Sequence, residues 1–281
     1  MRITALRAAD VPAALELQSP EGWNQTESDW RRVLRLDPDG SFAARLDDRL
    51  VGTTTTLRFG SELAWIGMVL VHPELRGHGV GRRLMEAALE HLARRGVMSV
   101  KLDATPAGKP LYEKLGFVTE LIIQRWEGVA RPRPSDGATE FLGDHLGGVR
   151  ALDRDAFGLD RVDVLSALLE DAHVPALVAG SSNAAVPTAF ALARPGHRAD
   201  YIGPLIASDS SSALALLDAM HARLAGRRVY MDVNTGFALP PDALTSRGLV
   251  RQRDLYRMWR GAPSALGTSS LVLAIAGPEL G

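Results

Sequence analysis

The stretch VHPELRGHGVGRRL, residues 71–84, lies between an apolar run that predicts a buried strand and a segment with helical spacing. Leu84, Ala88 and Leu92 recur at every fourth position, which predicts a helix that starts at the glycines and ends at Gly96. Glycines leave backbone N–H groups unshielded, and a helix N-terminus carries partial positive charge. The stretch therefore predicts a strand, a loop that holds a diphosphate, and a helix; a glycine-rich tight turn without a ligand is the alternative.

Two common nucleotide-binding loops do not fit this stretch. The dinucleotide motif G-x-G-x-x-G needs a glycine at the position of Arg82, and here it would also follow too many predicted strands. The Walker A loop needs a Lys-Ser/Thr pair after its last glycine, and the sequence has none there. The pattern that fits is R-x-x-G-x-G, from Arg76 to Gly81.

Composition limits the class of protein. A length of 281 residues suits two domains, and a net charge of −1 gives no electrostatic reason to expect nucleic acid. The chain has no cysteine, which excludes disulfides, thiolate metal sites and cysteine nucleophiles. Its histidines lack metal-ligand spacing, so no metal is predicted. No signal-like segment is visible and no apolar run approaches the length of a membrane span, so we expect a cytoplasmic protein without membrane association.

The order of predicted elements indicates a mixed α/β fold. Thr26 and Asp29 form a capping-box pattern before a helix, and Asp47 and Asp48 separate two strand-like runs that resemble a hairpin. A central strand, the helix after the glycines, and then a strand, a short helix and a closing strand complete the first part. The segment GVARPRPSDGATE, residues 128–140, reads as a linker.

The second part of the sequence repeats the first. Four segments match in the same order, as expected of a duplication: YIGPLIA with WIGMVLV, LLDAMHARL with LMEAALEHL, VYMDV with VKLDA, and YRMWRG with IQRWEG. The prediction is a first domain over residues 1–128, a linker over 129–139 and a second copy over 140–281. The second copy has SDSSSALA in place of the glycine loop, so we expect it to be degenerate, with a structural role or as a wall of the acceptor cleft.

With its R-x-x-G-x-G loop, element order and PLYEKLGF segment, the first part resembles the GCN5-related N-acetyltransferase (GNAT) family, and the whole chain resembles its tandem two-copy bacterial type. The resemblance implies, in each copy, a mostly antiparallel mixed sheet that splays between strands 4 and 5, and acetyl-CoA as co-substrate. It implies that Tyr112 protonates the departing thiolate as general acid; a half-buried structural tyrosine is the alternative. The implied cofactor-binding residues are Val69, Leu70, Val71, Arg76, Gly77, His78, Gly79, Val80, Gly81, Arg82 and Thr105, where Thr105 replaces an asparagine found in many family members.

The sequence gives a weaker signal for the residues that bind the acceptor than for those that bind the cofactor. Trp23, Asn24, Gln25 and Trp65 are candidate substrate contacts, although Trp23 also suits packing at a helix start. Trp65 occupies the position of the glutamate that serves as base in histone-acetylating relatives and cannot accept a proton. The remaining candidates for a base are Glu21, Glu62, His72 and Asp103. We expect acetyl transfer to a small-molecule or peptide amine; an acetyl-CoA sensor without catalysis is the alternative. The sequence identifies neither the acceptor nor the oligomeric state.

Overall fold

The computed structural model describes residues 1–134, 138–141, 143–180, 187–262 and 266–281. They form two compact units that are each discontinuous in sequence. The first unit comprises Met1–Glu120, Tyr256–Ser264 and Pro278–Gly281, and the second comprises Leu121–Leu255 and Ala265–Gly277. Part of the predicted linker, residues 135–137, lies outside the described residues. Among the described residues, no helix has both the length and the apolar character needed to cross a bilayer.

The first unit is a mixed sheet with helices. Its strands lie in the order β1, β2, β3, β4, β5 and the end of β12; the bounds are Arg2–Ala5, Ser41–Leu46, Arg49–Phe59, Leu63–Val71, Ser99–Ala104 and Val250–Gly261. All neighbouring pairs are antiparallel except β4 with β5. Its helices are α1 (Val11–Gln18), α2 (Glu27–Leu36), α3 (Val80–Arg94) and α4 (Lys109–Lys114).

Several local predictions for the first unit are confirmed. The Thr26 hydroxyl accepts the Asp29 N–H and Asp29 accepts the Thr26 N–H, so α2 begins with a complete capping box. Asp47 and Asp48 both have positive φ, as a two-residue hairpin turn between β2 and β3 requires. Asp10 directly precedes α1, but its side chain makes no cap hydrogen bond to that helix and instead accepts the N–H of Arg7.

The main core of the first unit lies between the sheet and the helices α3 and α4. Ala64 and Ile66 of β4 pack there against Met85, Ala88 and Leu92 of α3. Strand residues alternate between faces, so Trp65 and Gly67 point to the opposite side of β4. The α4 helix contributes Tyr112 to the same core, which brings the predicted general acid next to the central strand.

The second unit repeats this architecture. Its strands lie in the order β6, β11, β13, β10, β9, β8 and β7; the bounds are Val118–Val129, Arg228–Asn234, Val272–Ala274, Asp200–Ala207, Ala189–Arg194, Leu177–Ala179 and Ala138–Glu140. Its helices are α5 (Leu146–Phe157), α6 (Val162–Asp171) and α7 (Ser210–Arg223). The matched segments of the sequence repeat fall on β4 and β10, α3 and α7, and β5 and β11, which confirms the tandem arrangement.

Candidate functional site

A gap opens beside the central strand of the first unit. The parallel pairing of β4 with β5 covers only Leu63–Trp65 and Ser99–Lys101, and the strands diverge beyond it. The second half of β4 keeps its hydrogen bonds to β3 on its other side. An open strand edge of this kind can bind an extended ligand through main-chain hydrogen bonds.

A bulge marks the point where the two strands separate. The pairing of β3 with β4 shifts between Thr53 and Thr55, and Met68 has a φ of 50°. Positive φ is unfavourable for a residue with a side chain, so the surroundings must hold this conformation. The Thr53 hydroxyl does so by donating to the Met68 carbonyl at 2.7 Å. The residues that follow this bulge are the predicted contacts Val69, Leu70 and Val71.

The glycine loop has the geometry of an anion site. Gly77 and Gly79 have φ of 78° and 81°, and a Cβ at either position would meet nothing within 4 Å. Gly79 precedes α3 and provides no side-chain cap, so the first N–H groups of a 15-residue helix are not capped by a side chain there. Open glycines before such a helix suit a phosphate group. Gly81 serves packing instead, because its Cβ would lie 3.3 Å from Leu111 of α4.

The charged residues of the loop have protein partners. The Arg76 guanidinium donates to the Val71 carbonyl at 3.2 Å and pairs with Glu21, and Arg82 pairs with Glu86 at 2.8 Å. His78 Nδ1 lies 2.9 Å from the Arg76 carbonyl. Exposed pairs of this type contribute at most about 1 kcal/mol, so a diphosphate can replace the carboxylates at low cost. Glu21, one of the candidate bases, is therefore a partner of the loop arginine.

Tyr112, the candidate proton donor, is buried in α4. It is 8% exposed, and its ring packs edge-on against Phe117 with the centroids 6.2 Å apart. Burial raises the pKa of the Tyr112 hydroxyl, so the hydroxyl stays protonated at neutral pH. Thr105 lies one turn before α4, where its hydroxyl accepts the Gly108 N–H at 3.2 Å. Thr105 thus stabilises the turn that leads into the tyrosine helix.

The opposite face of β4 carries Trp65, one of the candidate acceptor residues. Trp65 is 1% exposed, and the Arg257 guanidinium lies 4.5 Å from its ring. Arg257 also donates two hydrogen bonds of 2.9 Å to Asp103. Because Asp103 is buried in this ion pair, it is poorly suited to take a proton from a substrate.

The last segment of the first unit reaches the same face. The Trp65 indole N–H donates to the Pro278 carbonyl at 3.0 Å, and Gln25 Nε2 donates to Glu279 Oε2 at 2.8 Å. Asn24 is buried and Trp23 is half-buried, but α2 begins at Glu27 with Thr26 as its cap, so Trp23 lies two residues before the staple position. Sequence reasoning missed Pro278, Glu279 and Arg257, which are distant in sequence from every motif of the first copy.

The remaining candidate bases lie at the two ends of β4. Glu62 precedes the strand in an exposed turn. His72 follows the strand, and its Nε2 lies 2.9 Å from Arg49 Nη2. In the described part of the chain, no three His, Asp or Glu residues are grouped as metal ligands.

The equivalent gap in the second unit is filled by its own chain. β10 and β11 pair in parallel at Asp200 and Tyr201, and β13 then lies between them. Ala274 of β13 is the register partner of both Leu205 in β10 and Val233 in β11. The start of α7 is also satisfied, because Asp209 accepts the Ser212 N–H and hydroxyl at 2.8 Å each. Hydrogen bonds from Ser211 and Ser212 lower the pKa of Asp209 to about 2. This carboxylate lies at the start of α7, where a bound anion would otherwise lie.

Comparison with known proteins agrees with the geometry. Residues 6–117 match the acetyltransferase (GNAT) family, and residues 149–273 match an acetyltransferase (GNAT) domain. The chain is 27% identical over 268 residues to the holothin acyltransferase of a Pseudoalteromonas strain, covering 93% of this chain and 88% of that protein. It is 38% identical over 85 residues to the mycothiol acetyltransferase of Thermomonospora curvata, but this match spans only 29% of each chain.

Solved structures share the fold over the whole chain. A Pyrococcus horikoshii protein classed provisionally as an acetyltransferase superimposes with a TM-score of 0.82 at 24% identity, covering 100% of this chain and 95% of that one. A GCN5-related N-acetyltransferase from Sphaerobacter thermophilus gives 0.70 at 17% identity, covering 96% and 98%. At these identities the likeness concerns the fold alone. With both family matches, the two-unit fold and the full-length acyltransferase relative taken together, the chain belongs to the GNAT family and is a tandem-domain acyltransferase.

Proposed function

We propose that the protein transfers an acetyl group from acetyl-CoA to a primary amine at one site, in the first unit. The observation that carries this proposal is the contrast between the two gaps. The gap beside β4 leads to an open glycine loop and an uncapped α3 terminus, whereas β13 and Asp209 occupy the corresponding places of the second unit. Among the described residues, the first unit alone therefore offers both an open strand edge for an extended arm and an open loop for a diphosphate.

The residues of the first unit fit acetyl-CoA. Gly77 and Gly79 leave room for close approach of phosphate oxygens, and the loop arginines can exchange their surface carboxylates for the diphosphate. The open edge of β4 after Met68 offers main-chain groups to the amides of the pantetheine arm. When bound, acetyl-CoA supplies an acyl group activated as a thioester.

The chain supplies positioning and a proton to this reaction. We assign the stabilisation of the developing oxyanion, when the amine attacks the carbonyl carbon, to a backbone N–H of β4 at the bulge. The Tyr112 hydroxyl donates its proton to the sulfur as the C–S bond breaks. Its buried setting suits this role, since the hydroxyl remains protonated until the thiolate departs.

We infer a small-molecule or peptide amine as acceptor. The holothin acyltransferase, by its name, acts on a small molecule, and it is similar to this chain over nearly its full length. This similarity supports a small acceptor, and the length of the acyl group is left for the assay to determine. A panel for the assay should therefore include heteroaromatic and aliphatic primary amines, with acetyl-CoA and propionyl-CoA as donors.

Two measurements test the proposal. Calorimetry with acetyl-CoA should give one binding site per chain, and thiol release should depend on an added amine. Two sites per chain would contradict the assignment to the first unit. Binding without amine-dependent thiol release across the panel would favour the acetyl-CoA sensor over the enzyme.

A further inference from the structure

We propose that the Thr53 hydroxyl directs the N–H of Val69 towards the thioester carbonyl and so positions the oxyanion donor of the first unit. The inference rests on the transfer reaction proposed above and names the side chain on which its backbone donor depends. Thr53 belongs to β3 and is fully buried. It acts through β4 and is therefore a positioning residue.

The bulge in β4 needs an interaction that holds it. Between Gly67 and Leu70, β4 contains one residue more than the paired stretch of β3. Met68, inside this interval, has a φ of 50°, which a residue with a side chain adopts only where its surroundings impose it.

The Thr53 hydroxyl provides that interaction and sets the direction of one peptide group. It donates to the Met68 carbonyl at 2.7 Å, so this carbonyl points towards β3. The Met68–Val69 peptide bond is trans, and the C=O and N–H of a trans peptide point in opposite directions. The Val69 N–H therefore points away from β3, towards the edge of β4 where the gap opens.

The backbone beyond the bulge gives the same direction independently. The His72 N–H donates to the Val51 carbonyl of β3 at 2.9 Å. Successive residues of a strand direct their backbone groups to alternate edges, so counting back from His72 directs those of Val71 and Val69 to the gap. The Val71 carbonyl agrees with this rule, because it accepts a hydrogen bond of 3.2 Å from Arg76 of the loop. The Thr53 hydroxyl thus fixes the gap-facing N–H that is nearest to the bulge.

The second copy lacks this hydroxyl. In the sequence repeat, Ile206 of β10 corresponds to Leu70, and its register partner in β9 is Phe190. Phe190 thus takes the place of Thr53, and its side chain has no donor for a carbonyl. The hydroxyl is present in the unit whose gap is open and absent from the unit whose gap holds β13, as expected if it serves the reaction.

The step that this geometry assists is the attack of the amine. The neutral amine nitrogen bonds the carbonyl carbon, and the π electrons of the C=O bond move to the oxygen, whose negative charge the Val69 N–H stabilises. When the C=O bond forms again, the C–S bond breaks and the sulfur takes a proton from Tyr112. The nitrogen loses one proton to solvent, and Tyr112 regains one from solvent. The products are the N-acetyl amine and CoA thiol.

The test removes the hydroxyl and keeps the shape of the side chain. Thr53→Val should lower kcat about 10- to 100-fold with the amine that the wild-type protein acetylates fastest, because a misdirected donor stabilises the oxyanion less well. Thr53→Ser keeps the hydroxyl and should retain kcat within about threefold. The Kd for CoA, which has no acyl carbonyl, should stay within about twofold in both variants, as measured by calorimetry.

Thr54→Val is the matched control. Thr54 is the next residue of the same strand and is equally buried, but among the described residues its hydroxyl has no hydrogen-bond partner. The substitution makes the same chemical change and removes no hydrogen bond to the bulge, so kcat should be unchanged.

A carbon resonance provides a readout that a purely structural role would not move. In wild-type protein saturated with acetyl-CoA that carries carbon-13 at the acyl carbonyl, and without amine, an N–H at the carbonyl oxygen should shift this resonance downfield from its position in free acetyl-CoA. Thr53→Val should move the resonance back towards the free position, whereas Thr53→Ser and Thr54→Val should keep it. If urea unfolding shows that Thr53→Val is poorly folded, Thr53→Cys, whose thiol is a weak donor, should show the same changes to a smaller extent.

The outcomes are distinct. An unchanged kcat and carbonyl resonance in Thr53→Val, equal losses of kcat in Thr53→Val and Thr54→Val, or a loss of CoA affinity as large as the loss of kcat would overturn the role of Thr53 and leave the proposed function standing. Binding of acetyl-CoA by the wild-type protein without thiol release with any amine of the panel would overturn the proposed function itself, and the role of Thr53 in catalysis with it.

Discussion

Replacing Gly77 and Gly79 together by alanine should weaken acetyl-CoA binding without unfolding the protein. Both residues have φ near 80°, and an added Cβ would meet no atom within 4 Å. The two alanine side chains therefore cause no steric clash in the ligand-free protein. They can change its free energy only through the strain of a left-handed backbone conformation. Since the loop is exposed, it can relax locally and relieve this strain when no ligand is bound.

The size of the effect follows from the backbone energy. A left-handed conformation costs a residue with a side chain about 1–2 kcal/mol, and binding must restore that conformation at both positions. The two costs add to about 2–4 kcal/mol, which corresponds to an increase in Kd of about 30-fold or more. Thermal unfolding should change little, because the relaxed loop stores none of this energy.

Gly96 provides a matched control for this experiment. It has a φ of 72°, is exposed, and would likewise place its Cβ in open space, but it lies at the far end of α3. Gly96→Ala should therefore lower stability by about 1 kcal/mol and leave the Kd for acetyl-CoA unchanged. Calorimetric titration of both variants makes the comparison. An unchanged Kd in the double loop variant would refute the assignment of the loop to the diphosphate.

Three further predictions follow from single side chains. Tyr112→Phe should lower kcat about 100-fold while the Kd for acetyl-CoA stays within about twofold, as measured by thiol release and calorimetry; equal losses of both would count against a general acid. Asp232→Asn should destabilise the second unit by about 3–5 kcal/mol in urea unfolding, because Asp232 is buried and accepts two hydrogen bonds from Arg125. Burial lowers the pKa of His221 to about 4 in the folded protein. As pH falls, this histidine therefore takes up its proton in the unfolded chain before it does so in the folded one. The free energy of unfolding should decrease by about 3 kcal/mol between pH 6.5 and pH 4. His221→Leu should remove that part of the pH dependence. An unchanged decrease in the free energy of unfolding between pH 6.5 and pH 4 in this variant would contradict the reasoning.

The predictable part of the fold is local in sequence. The strand, glycine loop and helix over residues 71–94 follow from hydrophobic spacing and from the conformational freedom of glycine, and the Thr26 capping box and the Asp47–Asp48 turn follow from side-chain chemistry. The duplication was also visible, because matching segments keep their order. These features depend on neighbours within a few residues, so they can be inferred without knowing which distant segments meet.

The acceptor side depends on distant segments and could not be inferred in this way. Arg257 reaches Asp103, and Pro278 reaches Trp65, across more than 150 residues. One hint was present in Gly67, since a glycine inside a buried strand often marks close approach of another backbone. The sequence cannot say which backbone approaches, because that depends on how both units are assembled from discontinuous parts of the chain.

The sequence shows that the second copy lacks the glycine loop, and the structure shows which groups lie in its place. A splayed strand pair leaves backbone groups without partners, and a helix start leaves N–H groups that attract an anion. In the second unit, β13 pairs with the two strands at the gap, and the Asp209 carboxylate accepts a hydrogen bond from the backbone at the start of α7. Because these groups occupy the positions that a ligand would need, glycines and arginines in this loop would have no ligand to bind. In the first unit we propose that acetyl-CoA makes the corresponding contacts, and this would account for the open glycines of the loop and for the lack of a side-chain cap on α3.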